Sequence, residues 1–419
     1  MEKIMNKDGY DLHLLQTKKF KTIHLSLKFT TELCREVVTN RALLPYLLQQ
    51  ATATYPTATK LRQKLDELYG AILHIDSSKK GENSILTFRL EIINDQFLQD
   101  KSSLIEEALQ LLKDVIYNPK LENNGFDNKI LEREKQTLKN KMESLNEDKM
   151  SLANTRMIEE MCADEPYHLR VHGYEEDLDT ITSESLYNYY EELLTSDRLD
   201  VYVVGDIENT PIEKLIDETI NRKKQASIAT KKSNSHHSVD KVLVEHDQIQ
   251  QAKLHFGFRT NITFNDQDYA ALHVFNGLFG GFPSSKLFMN VREKHSLAYY
   301  AASRIESHKG LLFVFSGIAP NQYEKAKEII LEQMEQMRSG QFTEEQVEET
   351  KEMTINQLKE TLDNPQGMIE LHYQSVLANS DKSPEDLIAD VKRVTKQDVL
   401  DVSKKIVLNM TYLLTSEEG

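Results

Sequence analysis

Hydrophobic and polar residues follow two different patterns along this chain. Residues 199–204 and 410–414 are short runs rich in Val, Tyr and Leu, which predict β-strands. Thr343 follows an apolar residue and precedes Gln346 by three positions, which is the capping-box pattern of a helix start. A second long helix is predicted over residues 127–148. Strands and helices are interspersed without strict alternation, so we predict an α+β fold.

Two stretches of the chain repeat each other. Lys60 and Leu61 recur as Lys286 and Leu287, about 226 positions later (286 minus 60). Each pair lies in a predicted helix that follows an aromatic residue and a proline and then runs into a strand-like segment. Self-similarity over this distance indicates that the chain consists of two copies of one structural unit.

The ends of the two copies also correspond. Thr182 and Thr395 each follow an apolar residue and begin a predicted helix that leads into a strand-like run. Residues 223–240 are dominated by polar side chains without a hydrophobic period, which is typical of a linker. We therefore predict an N-terminal repeat at 1–222, a linker at 223–240 and a C-terminal repeat at 241–419.

Length, charge and cysteine content narrow the class of protein. A chain of 419 residues exceeds the roughly 250 to 300 residues at which a single hydrophobic core stops growing. The net charge of -16 disfavours nucleic-acid binding, which depends on Lys and Arg displacing counterions from phosphates. Only Cys34 and Cys162 are present, so no disulfide framework is expected. No stretch is typical of a signal peptide or a membrane span, and we expect a cytoplasmic protein without membrane attachment.

Several motifs carry a specific resemblance to a known family. Residues 278–288 read Leu-Phe-Gly-Gly-Phe-Pro-Ser-Ser-Lys-Leu-Phe, residues 291–294 read Val-Arg-Glu-Lys, and residues 296–299 read Ser-Leu-Ala-Tyr. With these runs and the Val-Val-Gly-Asp of 203–206, the chain resembles the pitrilysin, insulinase and mitochondrial processing peptidase (inverzincin) family of metallopeptidases. The resemblance spans nearly the whole chain. It implies two homologous repeats, each a mostly antiparallel sheet packed with helices.

Members of that family bind zinc through a His-x-x-Glu-His helix in the first repeat and a later Glu. Two His four positions apart share one helical face, and the intervening Glu serves as general base for zinc-bound water. The corresponding helix here, residues 44–50, reads Leu-Pro-Tyr-Leu-Leu-Gln-Gln and offers neither ligand nor base. No His occurs between His24 and His74, and no acidic residue occurs between Glu36 and Asp66.

The third zinc ligand of the family is also replaced. Lys141 falls near the position of that Glu, and a cation there would oppose Zn²⁺. We therefore predict no metal ligand and no bound cofactor in this chain. The resemblance places the expected Zn²⁺ on a partner subunit.

Another part of the family's site is retained in the second repeat. Arg292 and Tyr299, seven positions apart, match a family pair that faces the substrate, and we predict that they are catalytic residues contributed to a partner's site. Guanidinium and phenol groups can donate hydrogen bonds to a peptide carbonyl and to the oxyanion that develops during hydrolysis. Spacing alone favours a partly buried Tyr and a surface Arg, and the family match reverses that preference.

The neighbouring loop is predicted to contact substrate. The resemblance places Gly280, Gly281 and Ser284 in a tight loop beside the substrate chamber, and His295 lies between the Arg and the Tyr. The Gly-Lys-Ser/Thr ending of a phosphate-binding loop is absent. The alternative for His295 is an exposed residue at a helix end. We predict these four residues as substrate contacts.

Two functions of different classes remain open. In the first, the chain is the non-zinc-binding subunit of a heterodimeric peptidase, and a zinc-bearing family relative supplies the metal and the base for peptide hydrolysis. In the second, it is a catalytically inactive homodimer that binds or scaffolds a peptide. A third, a zinc hydrolase built on His168 and His172, is disfavoured because Pro166 and Gly173 bracket that pair and no acidic residue follows at the required position.

Overall fold

The computed structural model describes residues 2–98, 103–220, 222–223 and 240–417. These residues form two β-sheets packed with helices, which confirms the predicted α+β fold. Residues 224–239 of the predicted linker lie outside the described residues. Within the described ranges, no helix combines the length and the apolarity needed to cross a lipid bilayer.

The first sheet and a separate short hairpin are built by β1 (Glu2–Asn6), β2 (Asp11–Gln16), β3 (Thr22–Glu32), β4 (Ile72–Lys80), β5 (Asn83–Ile93), β6 (Leu121–Glu122), β7 (Gly125–Phe126) and β8 (Arg198–Gly205). The six strands of the sheet lie in the order β1-β2-β8-β3-β5-β4. β2 and β8 are parallel, and the other neighbours are antiparallel. The hairpin pairs β6 with β7.

The second sheet is built by β9 (Lys241–His246), β10 (Ala252–Arg259), β11 (Ala298–Glu306), β12 (Leu311–Ile318) and β13 (Val407–Thr415). Its order is β11-β12-β10-β13-β9, with a parallel pair formed by β13 and β9. This order matches β4-β5-β3-β8-β2 of the first sheet strand for strand, including the position of the parallel pair. The two sheets therefore share one topology, as the predicted repeat requires.

Helices of the first half follow the same chain order: α1 (Val38–Leu48), α2 (Ala58–Glu67), α3 (Leu104–Tyr117), α4 (Asn128–Glu147), α5 (Lys149–Met161), α6 (Glu175–Leu178), α7 (Ser183–Ser196) and α8 (Ile212–Thr219). The second half contains α9 (Tyr269–Asn276), π-helices π1 (Gly277–Gly281) and π2 (Phe288–Lys294), α10 (Tyr323–Arg338), α11 (Glu344–Leu362), α12 (Pro365–Leu377), α13 (Pro384–Arg393) and α14 (Lys396–Lys405). Single 3₁₀ turns occupy Asp95–Phe97, Pro166–His168 and Pro320–Gln322.

Three helix starts agree with the caps predicted from sequence. The side chains of Thr182, Thr343 and Thr395 each accept a hydrogen bond from the backbone N–H three residues later. In each case the side chain at that later position bonds back to the cap, so all three form capping boxes. The helix predicted over 127–148 is α4, which Asp127 caps through the amides of the first turn.

Each half contributes one helix to the other half's sheet. α5 packs on β10 and β13 of the second sheet, where its Ala153 and Met157 join a core with Phe313 and Tyr412. Reciprocally, α12 packs on β3 and β8 of the first sheet. α5 and α12 each cover a sheet face of the opposite half, and the apolar area that they bury stabilises the contact between the two halves.

A buried ionic cluster reinforces this connection. The carboxylate of Glu165, just after α5, accepts from Lys309 Nζ at 2.5 Å and from the Arg259 guanidinium. Arg259 also donates through Nε to Asn409 Oδ1 at 3.0 Å. Because all these groups are buried, removal of one partner would leave an uncompensated charge in the interior.

Candidate functional site

The helix that corresponds to the family's zinc helix is α1, and Pro45 lies inside it. Proline has no N–H, so the carbonyl of Arg41, four residues earlier, loses its helical partner. The Ser77 hydroxyl of β4 donates to that carbonyl at 2.6 Å. Gln49 Nε2 at the end of α1 donates to the carbonyls of Pro45 and Ile75 at 2.8 Å and 3.0 Å. The polar contacts of this helix therefore hold it against β4.

The buried side chain of Arg41 also holds α1 in place through hydrogen bonds. It is 1% exposed and donates to the Asp197 carboxylate at 2.7 Å and to the carbonyl of Phe29 at 2.9 Å. Its Nε donates to Ser84 Oγ at 2.8 Å. Burial raises the pKa of Asp197, and Arg41 opposes that shift. The pair joins α1 to the segment between α7 and β8.

On α4, Glu134 is a buried carboxyl that faces α1. It accepts from Arg133 Nε at 2.6 Å. Burial, followed by the charge of Glu134, raises the pKa of the Tyr46 hydroxyl. Lys141, two turns later, is exposed. Burial, followed by the charge of Lys141, lowers the pKa of His172. The surroundings therefore place the Lys141 cation close to the His172 imidazole, where it would oppose a metal ion.

These residues do not fit a zinc ion. Zinc sites in proteins use three or four side chains of His, Cys, Asp or Glu at tetrahedral positions. Among the described residues, no group of three or more such side chains is placed to hold a metal ion. His168 and His172 also fail to share a helical face, because Pro166–His168 is a single 3₁₀ turn and His172 lies beyond it.

Tyr299, in the retained half of the site, occupies a β-bulge. In the β11–β12 ladder Ala298 lies opposite Ile318 and Tyr300 lies opposite Gly317, so Tyr299 has no partner between them. Its side chain is 75% exposed. A bulge can re-aim a side chain out of the regular ladder. Here it presents a phenol to solvent at the edge strand of the second sheet.

Arg292 lies in π2, before the strand that carries Tyr299. Its guanidinium is 4.6 Å from the centre of the Phe288 ring, and its Nε is 3.5 Å from the Glu293 carboxylate. Between the two catalytic candidates, Ser296 adopts a left-handed backbone conformation with a φ of 50°. π-helical turns and left-handed residues other than Gly are uncommon and occur often at functional sites.

The turn between the two candidates is fixed by its apolar residues. Val291 and Leu297 are buried, and the Leu297 N–H donates to the Val291 carbonyl at 3.0 Å. The Ser296 N–H donates to the Arg292 carbonyl at 3.1 Å. The polar residues 292–296 are all exposed. The buried Val291 and Leu297 thus fix the turn to the protein core, and Arg292 and Tyr299 lie near its two exposed ends.

The four predicted substrate contacts have different environments. His295 is exposed in the turn just described, Gly281 is exposed at the last position of π1, and Ser284 is exposed in the loop that follows. Ser284 Oγ lies 3.8 Å from Met353 Sδ. Gly280 is buried against β11, where an added Cβ would lie 2.6 Å from Ser303 Oγ. Close packing on β11 therefore accounts for glycine at position 280.

Comparisons with known proteins assign the family. The family model of the Peptidase M16 inactive domain matches residues 180–354. Over 98% of its length the chain is 44% identical to the "Probable inactive metalloprotease YmfF" of Bacillus subtilis, with 97% of that protein covered. The chain belongs to the M16 peptidase family. This confirms the resemblance seen in the sequence motifs.

Two further proteins are similar to this chain. The chain is 23% identical to the "Uncharacterized zinc protease YmxG" of B. subtilis, over 71% of this chain and 72% of that one. A crystal structure of a conserved protein from Enterococcus faecalis superimposes with a TM-score of 0.91 at 33% identity, covering 100% of this chain and 99% of that one. The chain is therefore similar over nearly its whole length to a relative named as a probable inactive metalloprotease, and its α1 lacks the zinc donors of the family.

Sequence reasoning missed several features that shape this site. The π-helices, the bulge at Tyr299 and the left-handed Ser296 have no hydrophobic period of their own. The buried Arg41 was also missed, because a lone Arg in an apolar helix gives no indication of its partner. A polar run between two apolar anchors, as in 291–297, is the signal that could have indicated an exposed turn.

Proposed function

We propose that this M16 protein is the zinc-less subunit of a heterodimeric peptidase and contributes Arg292 and Tyr299 to a site whose zinc and general base lie on a partner. The exposed turn that bears both residues carries this proposal. Its phenol and guanidinium are held out to solvent by a bulge and a π-helix, although α1 of the same chain has no zinc ligand. In this proposal the turn faces a metal-bearing surface of the partner.

The chemistry of the two side chains fits peptide hydrolysis. When water attacks a peptide carbonyl, negative charge develops on the carbonyl oxygen. A neutral Tyr hydroxyl and a permanently charged guanidinium both donate hydrogen bonds, and donors placed in advance stabilise that charge most effectively. The substrate class is therefore an extended peptide, with Gly281, Ser284 and His295 as contacts along the neighbouring loop.

The relatives also support a divided site. B. subtilis has one relative named as a probable inactive metalloprotease and another named as a zinc protease. A pair of this kind would supply the two halves of one peptidase. We further propose a cytoplasmic protein, since two cysteines are too few for a disulfide framework. Its charge of -16 opposes contact with anionic phosphates, so we expect it to bind neither nucleic acid nor membrane.

The test uses the full chain mixed with a zinc-bearing M16 relative from the same organism. Tyr299→Phe removes one hydrogen-bond donor and should lower kcat of the mixture by about 10²-fold, the usual effect of deleting one oxyanion donor. Arg292→Ala should have at least a comparable effect. Fluorogenic peptide cleavage measures both.

Matched controls come from the first repeat. Tyr69→Phe changes a 49% exposed tyrosine in the turn before β4, the counterpart of the turn before β11, and Arg62→Ala changes an exposed arginine of α2. Both controls should cleave at the rate of the unaltered mixture. Unchanged cleavage by the two site variants would contradict the proposal, and peptide binding without cleavage in every mixture would favour the scaffolding function instead.

A further inference from the structure

One edge of the second sheet is open where the first sheet is closed. In the first sheet β2 pairs with β8 on one side and with β1 on the other. Its counterpart β9 pairs with β13, and no other described strand lies on its outer side. The row of backbone N–H and C=O groups along that side of β9 is a template for an additional strand.

The side chains of β9 divide into two faces. Lys241, Leu243 and Glu245 face α5, where Lys241 Nζ lies 2.5 Å from Glu160 and Glu245 accepts from Arg156 at 2.6 Å. The opposite face presents two apolar side chains to solvent. Val242 is 50% exposed and Val244 is 43% exposed. These two valines lie next to each other on one face of an edge strand.

β9 also lacks the features that usually prevent edge-to-edge pairing. Its six residues include no proline, and its register with β13 runs without a bulge from Lys241 to His246. An exposed lysine often protects an edge, but Lys241 bonds to Glu160 on α5, on the face of β9 opposite the two valines. The strand therefore offers a regular, partly apolar edge.

We propose that this edge pairs with β9 of a second copy of the chain, antiparallel and across a two-fold axis. The two sheets would then continue as one sheet of ten strands, five from each copy. This surface is separate from the turn that carries Arg292 and Tyr299. The proposal therefore does not rest on the peptidase function.

Charge complementarity selects one register. In an antiparallel pair the opposed side chains lie on the same face, so the axis must pass through a residue position. With the axis at Leu243, Val242 lies opposite Val244 of the second copy and Lys241 lies opposite Glu245. Moving the axis to Val242 or Val244 places Lys241 or Glu245 opposite Leu243 instead.

Sedimentation of the full chain over a concentration series tests the proposal. The unaltered chain should change from 48.4 kDa towards twice that mass as concentration rises. Val242→Lys with Val244→Lys places two like-charged pairs across the interface and should weaken dimerisation about tenfold or more. Val242→Lys with Val244→Glu places opposite charges across it and should retain the dimer.

The control is Ile72→Lys, which changes a 58% exposed residue on the edge strand of the other sheet and should leave the dimer unchanged. The three residues that the variants change, Val242, Val244 and Ile72, are all exposed, and circular dichroism verifies that each variant is folded. A monomeric mass for the unaltered chain at every concentration would overturn the proposal. A Lys/Glu variant as monomeric as the Lys/Lys variant would overturn the register.

Discussion

Ser296 determines how Arg292 and Tyr299 are presented. Its φ of 50° lies in the left-handed region, which costs a residue with a Cβ roughly 1 kcal/mol or more relative to glycine. The strain persists because Val291 and Leu297 anchor the turn on both sides. A substitution of Ser296 therefore tests the conformational strain of the turn without changing the side chains of Arg292 and Tyr299.

We expect Ser296→Gly to raise the free energy of unfolding by about 1 kcal/mol, because it removes the left-handed strain. Urea denaturation followed by circular dichroism measures the change. Ser284→Gly in the neighbouring loop is the control and should give no gain, since Ser284 is not in a left-handed conformation. A loss of stability in Ser296→Gly would show that the serine stabilises the turn.

Substitution of Arg41 should lower the free energy of unfolding, whereas Ser296→Gly should raise it. Arg41→Met removes the charge that faces the buried Asp197 carboxylate, so we expect a loss of about 3 to 5 kcal/mol of unfolding free energy. Arg62→Ala, on the exposed face of α2, should change stability by less than about 0.5 kcal/mol. Thermal and urea unfolding of both variants measure the difference. Equal effects would mean that the buried pair contributes nothing.

At the residue scale, the sequence was most informative where it lacked a residue type. The absence of His and acidic residues around 44–50 excludes the zinc helix of the family whatever the alignment. The conformation of Ser296 and the bulge at Tyr299 could not be predicted, because they depend on the register between β11 and β12. That register is set by contacts distant in sequence.

α5 and α12 are the elements that distinguish this fold from two independent units. Each begins with a capping residue and carries an apolar face, which local sequence rules explain. Neither pattern shows that the face packs on the sheet of the opposite half. Periodicity identifies a helix and its buried side, but it contains no information about the partner surface.

Ile369→Ala in α12 tests this exchange. Ile369 is fully buried against Tyr202 and Val204 of the first sheet, so the truncation should cost about 2 to 5 kcal/mol. Hydrogen exchange followed by mass spectrometry should show the larger loss of protection in β3 and β8 of the first sheet. Ile330→Ala in α10 is the control.

Ile330 is also fully buried, but it belongs to the core of the second sheet. Its truncation should therefore accelerate exchange in β10 and β12. If Ile369→Ala instead affected the second sheet most, the exchange of helices between the halves would be wrong.

At the scale of the whole molecule, a titratable cluster joins the first sheet to α12. His13 lies between Glu2 and Asp200, with Nδ1 2.8 Å from Glu2 Oε1 and Nε2 3.3 Å from Asp200 Oδ1. The second oxygen of Glu2 is 2.8 Å from His372 Nδ1 on α12. Burial disfavours the charged imidazole, but the two carboxylates outweigh burial and raise the pKa of His13 to about 9.

This cluster predicts a pH dependence with a definite sign. The pKa of folded His13 is above the ordinary value of 6.5, so its contribution is complete below pH 6.5 and is lost as pH rises through about 9. We expect the free energy of unfolding to fall by about 3 kcal/mol over that range. His13→Gln should flatten the decline, and the exposed His74→Gln should leave it unchanged. Urea denaturation at each pH provides the values.

The sequence predicted more of the overall fold than of the candidate site. The repeat of Lys60-Leu61 as Lys286-Leu287 gave two units, and the two sheets indeed share one strand order. The proposed division of function between this chain and a partner rests on the zinc ligands that are missing on α1 and on the exposed Arg292 in π2 and Tyr299 in β11. The identity of such a partner cannot be predicted from one chain, because the complementary surface would belong to another sequence.

The most direct test of the central claim is zinc content and fluorogenic peptide cleavage, measured on the purified chain alone and after adding a zinc-bearing M16 relative from the same organism. We expect the chain alone to hold far less than one zinc ion and to cleave nothing. The mixture should cleave faster than the relative alone. One zinc ion per chain together with cleavage by the chain alone would contradict the account.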